Sequence, residues 1–557
     1  MKITKLFVLQ QPVSHAVRLA AFRMRFLRHL RWFLFLLLSG FLTASGGFAQ
    51  SQFQTAIGGA GLDIGFSIVQ TSCGGYAISG ATDFFGAGYE DFYIVKADGS
   101  GVIEWSRTVG GTDIEWASSI IQTTDGGFAV AGDTDSFGAG WGDFYVVKLD
   151  SNGIVQWTRT VGGELDEWAY SIVQTTDGGY AVAGYTDSFG AGGGDFYIVK
   201  LDAAGILQWT RTVGGTELDE ATSIIQTTDG GFAITGYTYS FGAGATDIYV
   251  VKLDSNGTLL WTRTIGGIEW EDAYTIIQTS DGGFAIAGST DSFGAGGGDT
   301  YIVKLDAGGM LQWSRTIGGI GHDSGFGIVQ TTDGGIAISG YTESFGAGFY
   351  DFYIVKLDAN GTLQWTRTVG GLEDDMGLGI VQTTDGGFAI SGATLSFGAG
   401  DYDMFIVKLD GSGNTCANQG TGGTSGSGGV SNITGGAVGI GGTSGAGGIS
   451  GSGGAAEIIC ILTSVQELTT ENEPRVYIYP NPFSETAILR IANLPSTQTD
   501  NLELRIYDLL GKQIHATLLR QADSFIIRSN NMPAGMYLYH VLLNGERIAN
   551  GKLLRQD

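Results

Sequence analysis

Cationic side chains are what this 557-residue chain has least of for its size: 29 Lys and Arg stand against 56 Asp and Glu, a net charge of −27. The deficit is local. Residues 51–416 hold 13 Lys and Arg and 45 Asp and Glu, a difference of −32, whereas residues 475–557 hold 9 and 7, a difference of +2. A surface this acidic repels phosphate backbones and anionic headgroups, which excludes nucleic acid and anionic membranes as expected partners. It suits a soluble extracellular protein, expected to be a monomer, or one that binds cations.

Cysteine and histidine are scarce too. Cys73, Cys416 and Cys460 are the three cysteines, too few and too scattered for a zinc site. Cys416 and Cys460 flank a Gly-rich segment. A disulfide pinning that segment and a pair of free thiols are equally open readings, because connectivity does not follow from sequence. Of five histidines, His15, His29, His322, His515 and His540, only His322 falls within 51–416. No Ser/His/Asp or Cys/His arrangement emerges. Acidic neighbours such as Asp166 with Glu167 and Glu271 with Asp272 belong to repeated loops. A glycosidase needs two specific carboxylates flanking one bond. The chain is therefore read as not an enzyme.

What is abundant is a period. Trp105, Trp157, Trp209, Trp261, Trp313 and Trp365 follow one another at 52-residue intervals. The clearest unit begins Trp157-Thr-Arg-Thr-Val-Gly-Gly and passes through Ser171-Ile-Val-Gln-Thr-Thr-Asp-Gly-Gly. It continues with Ser188-Phe-Gly-Ala-Gly and ends Asp195-Phe-Tyr-Ile-Val-Lys-Leu-Asp. A fixed period of this size marks a solenoid, propeller or array. Each unit holds four short β-like runs. Asp125-Gly-Gly and Asp150-Ser-Asn-Gly separate two pairs of them and read as hairpin turns, where glycine accepts the positive φ. Three runs are apolar at nearly every position and the fourth alternates. This predicts an all-β, seven-bladed β-propeller whose blades stack face to face, the fourth strand outermost. The Asp-Gly-Gly position recurs seven times, with Cys73 replacing Asp once by drift. The last unit lacks its fourth run, but Phe53-Gln-Thr-Ala-Ile-Gly-Gly near the start is a copy of it. An N-terminal strand is therefore expected to close the last blade, built from 52–58 plus roughly 379–410.

The remaining regions follow. Residues 1–49 read as a signal peptide, with Arg23, Arg25, Arg28 and Arg31 before an apolar core at Trp32–Leu42 and small residues ending at Ala49. Met24 is the expected true start. The apolar run is too short for a membrane span, so none is expected in the mature protein. The propeller is assigned 50–416. Residues 417–474, opening Gly/Ser/Thr-rich, read as a flexible linker. The final domain, 475–557, returns to balanced charge and alternating β patterns.

Two resemblances attach to these residues. Units with Asp-Gly-Gly-Phe-Ala and Asp-Phe-Tyr-Ile-Val-Lys-Leu-Asp resemble the seven-bladed β-propeller repeats of large exported bacterial proteins, a family without a shared activity to carry over. The segment Lys200–Trp209 is also similar to the tryptophan-docking hairpin of quinoprotein dehydrogenases, read here as structural mortar. The final domain carries Val476-Tyr-Ile-Tyr-Pro-Asn-Pro-Phe483, Leu504-Arg-Ile-Tyr-Asp-Leu-Leu-Gly-Lys512 and Met532-Pro-Ala-Gly-Met-Tyr-Leu-Tyr. It resembles the C-terminal sorting domain of type IX secretion cargo. That resemblance implies an Ig-like β-sandwich, with Tyr479, Pro480, Asn481, Pro482, Gly511, Lys512, Gly535 and Tyr537 as its motif positions. It also implies passage through the type IX translocon, removal by a sortase-like peptidase, and an extracellular or outer-membrane surface location in a Gram-negative bacterium.

Function is expected where the copies disagree, in the loops joining the fourth run to the first and the second to the third. Trp116, Trp141, Trp168, Trp270, Tyr89 and Phe349 are the candidate ligand-binding residues, since aromatics beside carboxylates stack on sugars and bond their hydroxyls. The competing reading has these rings packed on neighbouring loops. Asp143, Asp195, Asp247 and Asp299 open the third run, where a carboxylate caps loop amides; Ca²⁺ ligation is the alternative and no other cofactor is expected. Lys148 and Arg159 are expected to pair with carboxylates between blades. The function expected is a secreted or cell-surface binding or adhesion module, directed at a glycan or another surface ligand. A polysaccharide hydrolase or lyase and a structural envelope spacer are the alternatives.

Overall fold

The computed structural model describes residues 51–416 without a break, short strands between 424 and 463, and the strands of 475–555. It divides into two units, residues 1–464 and 465–557. The first is a β-propeller.

Seven four-stranded antiparallel sheets are built from residues 51–409. Sheet two, formed by Glu115–Gln122, Phe128–Thr134, Asp143–Leu149 and Val155–Gly162, shows the pattern. Its two middle strands are buried at every position, as their apolar runs require. Sheets three to six repeat it from Glu167, Asp219, Glu271 and Asp323. Sheet seven takes Asp375–Gln382, Phe388–Thr394 and Asp403–Leu409 from the end of the repeats and Ser51–Gly58 from the start. Phe53 pairs with Lys408 and Ile57 with Met404.

Sheets bury their faces on each other. Ala181, Ala183, Phe196 and Ile198 of sheet three meet Phe232, Ile234, Tyr249 and Val251 of sheet four in one apolar cluster. A like cluster joins sheet seven to sheet one through Phe53, Ile78, Tyr93 and Ile406. The alternation of alanine with larger residues in the second strand lets backbones approach. At Gly184 of that strand a Cβ would overlap the Trp168 carbonyl, and the counterpart glycines are equally constrained.

Polar locks accompany the packing. The side-chain carbonyl of the glutamine ending each first strand accepts an amide from the preceding sheet's turn. Thr124 N–H donates to Gln174 at 2.9 Å, and Thr384 N–H to Gln70 at 2.9 Å carries the series from sheet seven to sheet one. The basic residues are used in the same way. Lys148 meets Asp125 of its own sheet at 3.0 Å and the Leu149 carbonyl at 2.9 Å. Arg159 lies over Trp157, 5.3 Å from the ring centroid, and donates to the Gly205 carbonyl of the next sheet's hairpin at 3.0 Å. The expected pairing with carboxylates between blades is thus corrected. Lysine pairs within its blade, and arginine crosses to backbone carbonyls. Where Cys73 replaces the turn aspartate, Lys96 turns to Glu104.

The segment read as a flexible linker is corrected as well. Thr424–Gly426, Val430–Asn432, Ala437–Gly439, Thr443–Gly445, Ile449–Gly451 and Ala455–Thr463 each pair antiparallel to an outermost strand. They add a fifth strand to sheets five, four, three, two, one and seven in that order. Composition favoured a tether, but outermost strands present unpaired N–H and C=O groups that a small-residue chain can satisfy at close range. Cys416 is disulfide-bonded and Cys73 is free, which leaves Cys460 as the remaining cysteine of the chain.

In the second unit, two four-stranded sheets share a core. Ala487, Leu489, Ile491, Phe525 and Ile527 of one meet Leu504, Ile506, Tyr539 and Val541 of the other. Tyr537 is buried and donates to the Pro533 carbonyl at 2.6 Å. Gly535 takes a φ of 149° and Lys512 is exposed. Tyr479 ends the strand Arg475–Tyr479. Pro480, Asn481, Pro482, Gly511 and the signal segment 1–49 lie outside the described residues.

The fifth strands make a measurable difference. Hydrogen exchange at Thr160–Gly162 and Thr212–Gly214, which pair with Thr443–Gly445 and Ala437–Gly439, should accelerate when residues 424–451 are deleted. Unchanged exchange at both sites would show that the pairing does not persist in solution.

Candidate functional site

The seven repeats are most alike in the middle strands and least alike at one end of the ring axis. There, a first-strand residue faces a second-strand residue across each sheet. The pairs are Ile64 with Ala81, Trp116 with Asp133, Trp168 with Tyr185, Glu220 with Tyr237, Asp272 with Ser289, Ser324 with Tyr341, and Met376 with Ala393. Directly opposed residues project to the same side of a sheet, so each pair acts as one patch. Sheets two to five form an aromatic and acidic arc, and sheets seven and one an apolar one.

Just inside lies an axial cavity of about 200 Å³. Its lining includes Phe66, Ser118, Tyr170, Thr222, Tyr274, Phe326 and Leu378, equivalent positions of the seven first strands. Beneath them Ser67, Ser119, Ser171 and Ser223 accept amides of the next sheet, as in Ile224 N–H to Ser171 Oγ at 3.2 Å. Those serines hold the wall. The ring above them is free to vary.

Side chains converge at this mouth. Glu220 accepts from Tyr237 Oη at 2.5 Å and from Tyr170. Asp272 accepts from Thr246 Oγ1 at 3.1 Å. Trp116 Nε1–H bonds Glu90. Tyr274 stacks on Phe326 at 4.4 Å, and Tyr341 joins Phe326 to Tyr350. Burial pushes the carboxyls of Asp133, Glu220, Asp272 and Glu90 up, Asp133 far above its ordinary value. Asp135 adds to the rise at Asp133, Asp291 to that at Asp272 and Asp83 to that at Glu90. The phenols of Tyr170 and Tyr237 are raised by burial and by the Glu220 charge.

The aromatic candidates divide. Trp116 and Trp168 stand at the mouth, about two-fifths exposed, the former 6.0 Å from Phe66 and the latter 5.4 Å from Tyr185. Trp270 meets Tyr239 at 5.7 Å. Trp141, Tyr89 and Phe349 project from loops joining second and third strands and are the most exposed of the six. Sequence reasoning missed Phe66, Tyr170, Tyr274, Phe326, Asp133 and Tyr237. The signal was available, because these positions change chemistry from copy to copy inside strands otherwise constant.

Asp143, Asp195, Asp247 and Asp299 cap loops. Oδ2 of each accepts the amide of Ala139, Ala191, Ala243 or Ala295 at 2.8, 2.7, 2.8 and 2.7 Å. Oδ1 sits against Gly162, Gly214, Gly266 or Gly318, close to a first-strand carboxylate, as in Asp195 beside Asp219. Among the described residues no group of three or more His, Cys, Asp or Glu could hold a metal ion. His322 Nδ1 accepts the Gly298 amide at 3.1 Å. Among the described residues no helix is long and apolar enough to cross a membrane.

Comparison with known proteins agrees on the two parts of the chain. Residues 477–554 match the secretion system C-terminal sorting domain. Residues 331–363 match a β-propeller domain of unknown function, DUF5122. Regulatory protein FlaEY of Caulobacter vibrioides is 26% identical over 221 residues, 34% of this chain and 23% of that protein; the chain thus spans about a quarter of that relative's length. Similar solved structures include the extracellular domain of a hybrid two-component system from B. thetaiotaomicron, at 10% identity and a TM-score of 0.35, covering 92% of this chain and 57% of that one. A protein of unknown function from Dyadobacter fermentans matches at 12% and 0.36, covering 64% and 98%. An endo-1,5-alpha-L-arabinanase from Thermotoga petrophila matches at 10% and 0.26, covering 64% and 99%. Likenesses this distant carry no argument about activity.

The carboxylates set a pH profile. Burial raises Asp143, Asp195, Asp299 and Asp375 to about 6. A raised carboxyl contributes fully to stability below its unfolded value of 3.8 and loses that contribution as pH rises through about 6. The turn residues Asp125, Asp177, Asp229, Asp281 and Asp333 lie at about 2, held down by threonine hydroxyls, glycine amides and lysines. Their contribution is present above 3.8 and is lost as pH falls through about 2. Thermal melts should therefore show stability rising from neutral to about pH 5 and falling below about pH 3. A midpoint that declines steadily from neutral downwards would contradict this balance.

Proposed function

We propose that the chain, a β-propeller protein with a type IX secretion sorting domain, is an exported binding module whose ligand docks at the axial mouth. The sorting domain implies engagement of the type IX machinery and export to the cell surface or extracellular space. In this reading the seven sheets are the blades of a seven-bladed propeller. The final domain is an Ig-like sandwich removed by a sortase-like peptidase. The observation that carries the binding role is convergence: positions that differ among near-identical repeats gather around one cavity, where folding alone gives no reason for difference. Aromatic faces beside hydroxyls and carboxylates suit a glycan, whose rings stack while its hydroxyls find acceptors. Adhesion to a surface polysaccharide is the role such a site would serve.

The raised carboxyls of Glu220 and Asp272 favour a second reading, a polysaccharide hydrolase or lyase with one of them as general acid. A glycan array probed with the full secreted protein addresses the first. Trp168→Ala and Trp116→Ala should each weaken any detected affinity roughly tenfold, about 1.4 kcal/mol. Retained affinity in both would place the site elsewhere. Incubation with polysaccharides separates the second: turnover abolished by Glu220→Gln or Asp272→Asn would establish an enzyme, and intact polymer would leave a binding protein.

A further inference from the structure

The scaffold consumes its cations. All 13 basic residues of 51–416 are the third-strand lysines and the fourth-strand arginines. Six lysines pair with turn aspartates and Lys96 with Glu104, while the six arginines lie over tryptophans. The turns that hold the lysines join first to second strands, at the end of the sheets opposite the mouth. None of these 13 is among the residues forming the mouth. Glu90, Asp133, Glu220 and Asp272 are there without a basic partner among the described residues.

Asp133 is the sharpest case. It is 9% exposed. Its counterparts are Ala81, Tyr185, Tyr237, Ser289, Tyr341 and Ala393, so no other copy puts a charge there. Glu220 has its tyrosines and Asp272 its threonine, whereas no other side chain hydrogen-bonds the Asp133 carboxyl among the described residues. It faces Trp116 across the sheet, and its charge is felt by Tyr170 and Tyr185 of the next sheet. A carboxyl held mostly out of water with no cationic partner is held at a cost. A cation arriving with a ligand removes that cost, and aromatic faces around it add cation–π attraction. The lack of a cluster of three metal-ligating groups among the described residues and the surrounding rings favour an organic ammonium over a metal ion.

We propose that the axial mouth recognises ligands carrying protonated amines, with the ammonium group seated on Asp133 beside Trp116 and further amines drawn by Glu220 and Asp272. This rests on the reading that the mouth binds a ligand and narrows its chemistry to an amino-bearing one such as an unacetylated amino-sugar chain.

The test compares glucosamine oligomers with their N-acetylated counterparts, equal in length and backbone but neutral and bearing an acetyl group on each nitrogen, by calorimetry on the full secreted protein. The amino form should bind at least tenfold more tightly and weaken with added salt. Asp133→Asn should abolish that preference while Ile206→Ala, on an exposed hairpin at the opposite end of the sheets, leaves it. Thermal melting checks that both variants fold. Glu220→Gln, which should reduce the preference several-fold, serves as a second readout if the asparagine variant does not fold. Equal or tighter binding of the acetylated oligomer, still weakened by Trp168→Ala, would overturn this proposal and leave a neutral-glycan site at the mouth. A preference that survives Asp133→Asn would overturn it as well. Failure of both oligomers to bind would count against the site itself.

Discussion

Everything in the propeller depends on the burial of sheet faces against neighbouring sheets. A four-stranded sheet apolar on both faces cannot stand alone in water, and each face here is covered by the next sheet. Such an arrangement has two costly ends unless it closes. Closure rests on Ser51–Gly58 completing the sheet of Asp375–Leu409. The cluster of Phe53, Ile78, Tyr93 and Ile406 and the Thr384–Gln70 bond then make the junction of sheets seven and one like the others. Because the joining strand comes from the far end of the sequence, the ring is complete only when both termini of the repeat region are in place.

This constraint explains the division of labour among residues. Positions that serve packing are held constant, and they include nearly all the charge-pairing capacity of the repeats. Lysine is buried to within a few per cent and reaches its turn aspartate, while arginine covers tryptophan and grips the next hairpin. Because the aspartate of most of these pairs stays more than half exposed, each is worth about 1 kcal/mol or less, so their effect is registration more than strength. Their consequence for function is larger. Once every cation is engaged in the scaffold, the mouth is left acidic by default. Burial there pushes its carboxyls up from their ordinary values.

The strand chain of residues 424–463 addresses a different liability. A propeller removes sheet edges only partly, because each outermost strand still presents unpaired backbone groups. Six of the seven sheets gain a short fifth strand from this segment, and Cys416 at its start is disulfide-bonded. The order of pairing, from sheet five back through sheet one to sheet seven, lays the segment along the outer edges in the reverse of chain order.

By itself the sequence determined the period, the four strands per unit, the hairpin turns and the strand borrowed from the N-terminus. All are set by local chemistry: apolar runs, Asp-Gly turns and tryptophan spacing leave few alternatives. It also determined the export tail, through motifs contiguous in the chain. Tertiary structure alone decided which differences between copies matter. Asp133, Tyr170, Glu220 and Tyr237 lie in four different strands. They become neighbours only because seven sheets converge on one axis. It likewise decided that arginine meets carbonyls and not carboxylates, and that a Gly-rich stretch pairs with sheet edges. The physical reason is common to these cases: each depends on distances between units, and a repeat fixes its own fold without stating which neighbour's surface it will meet.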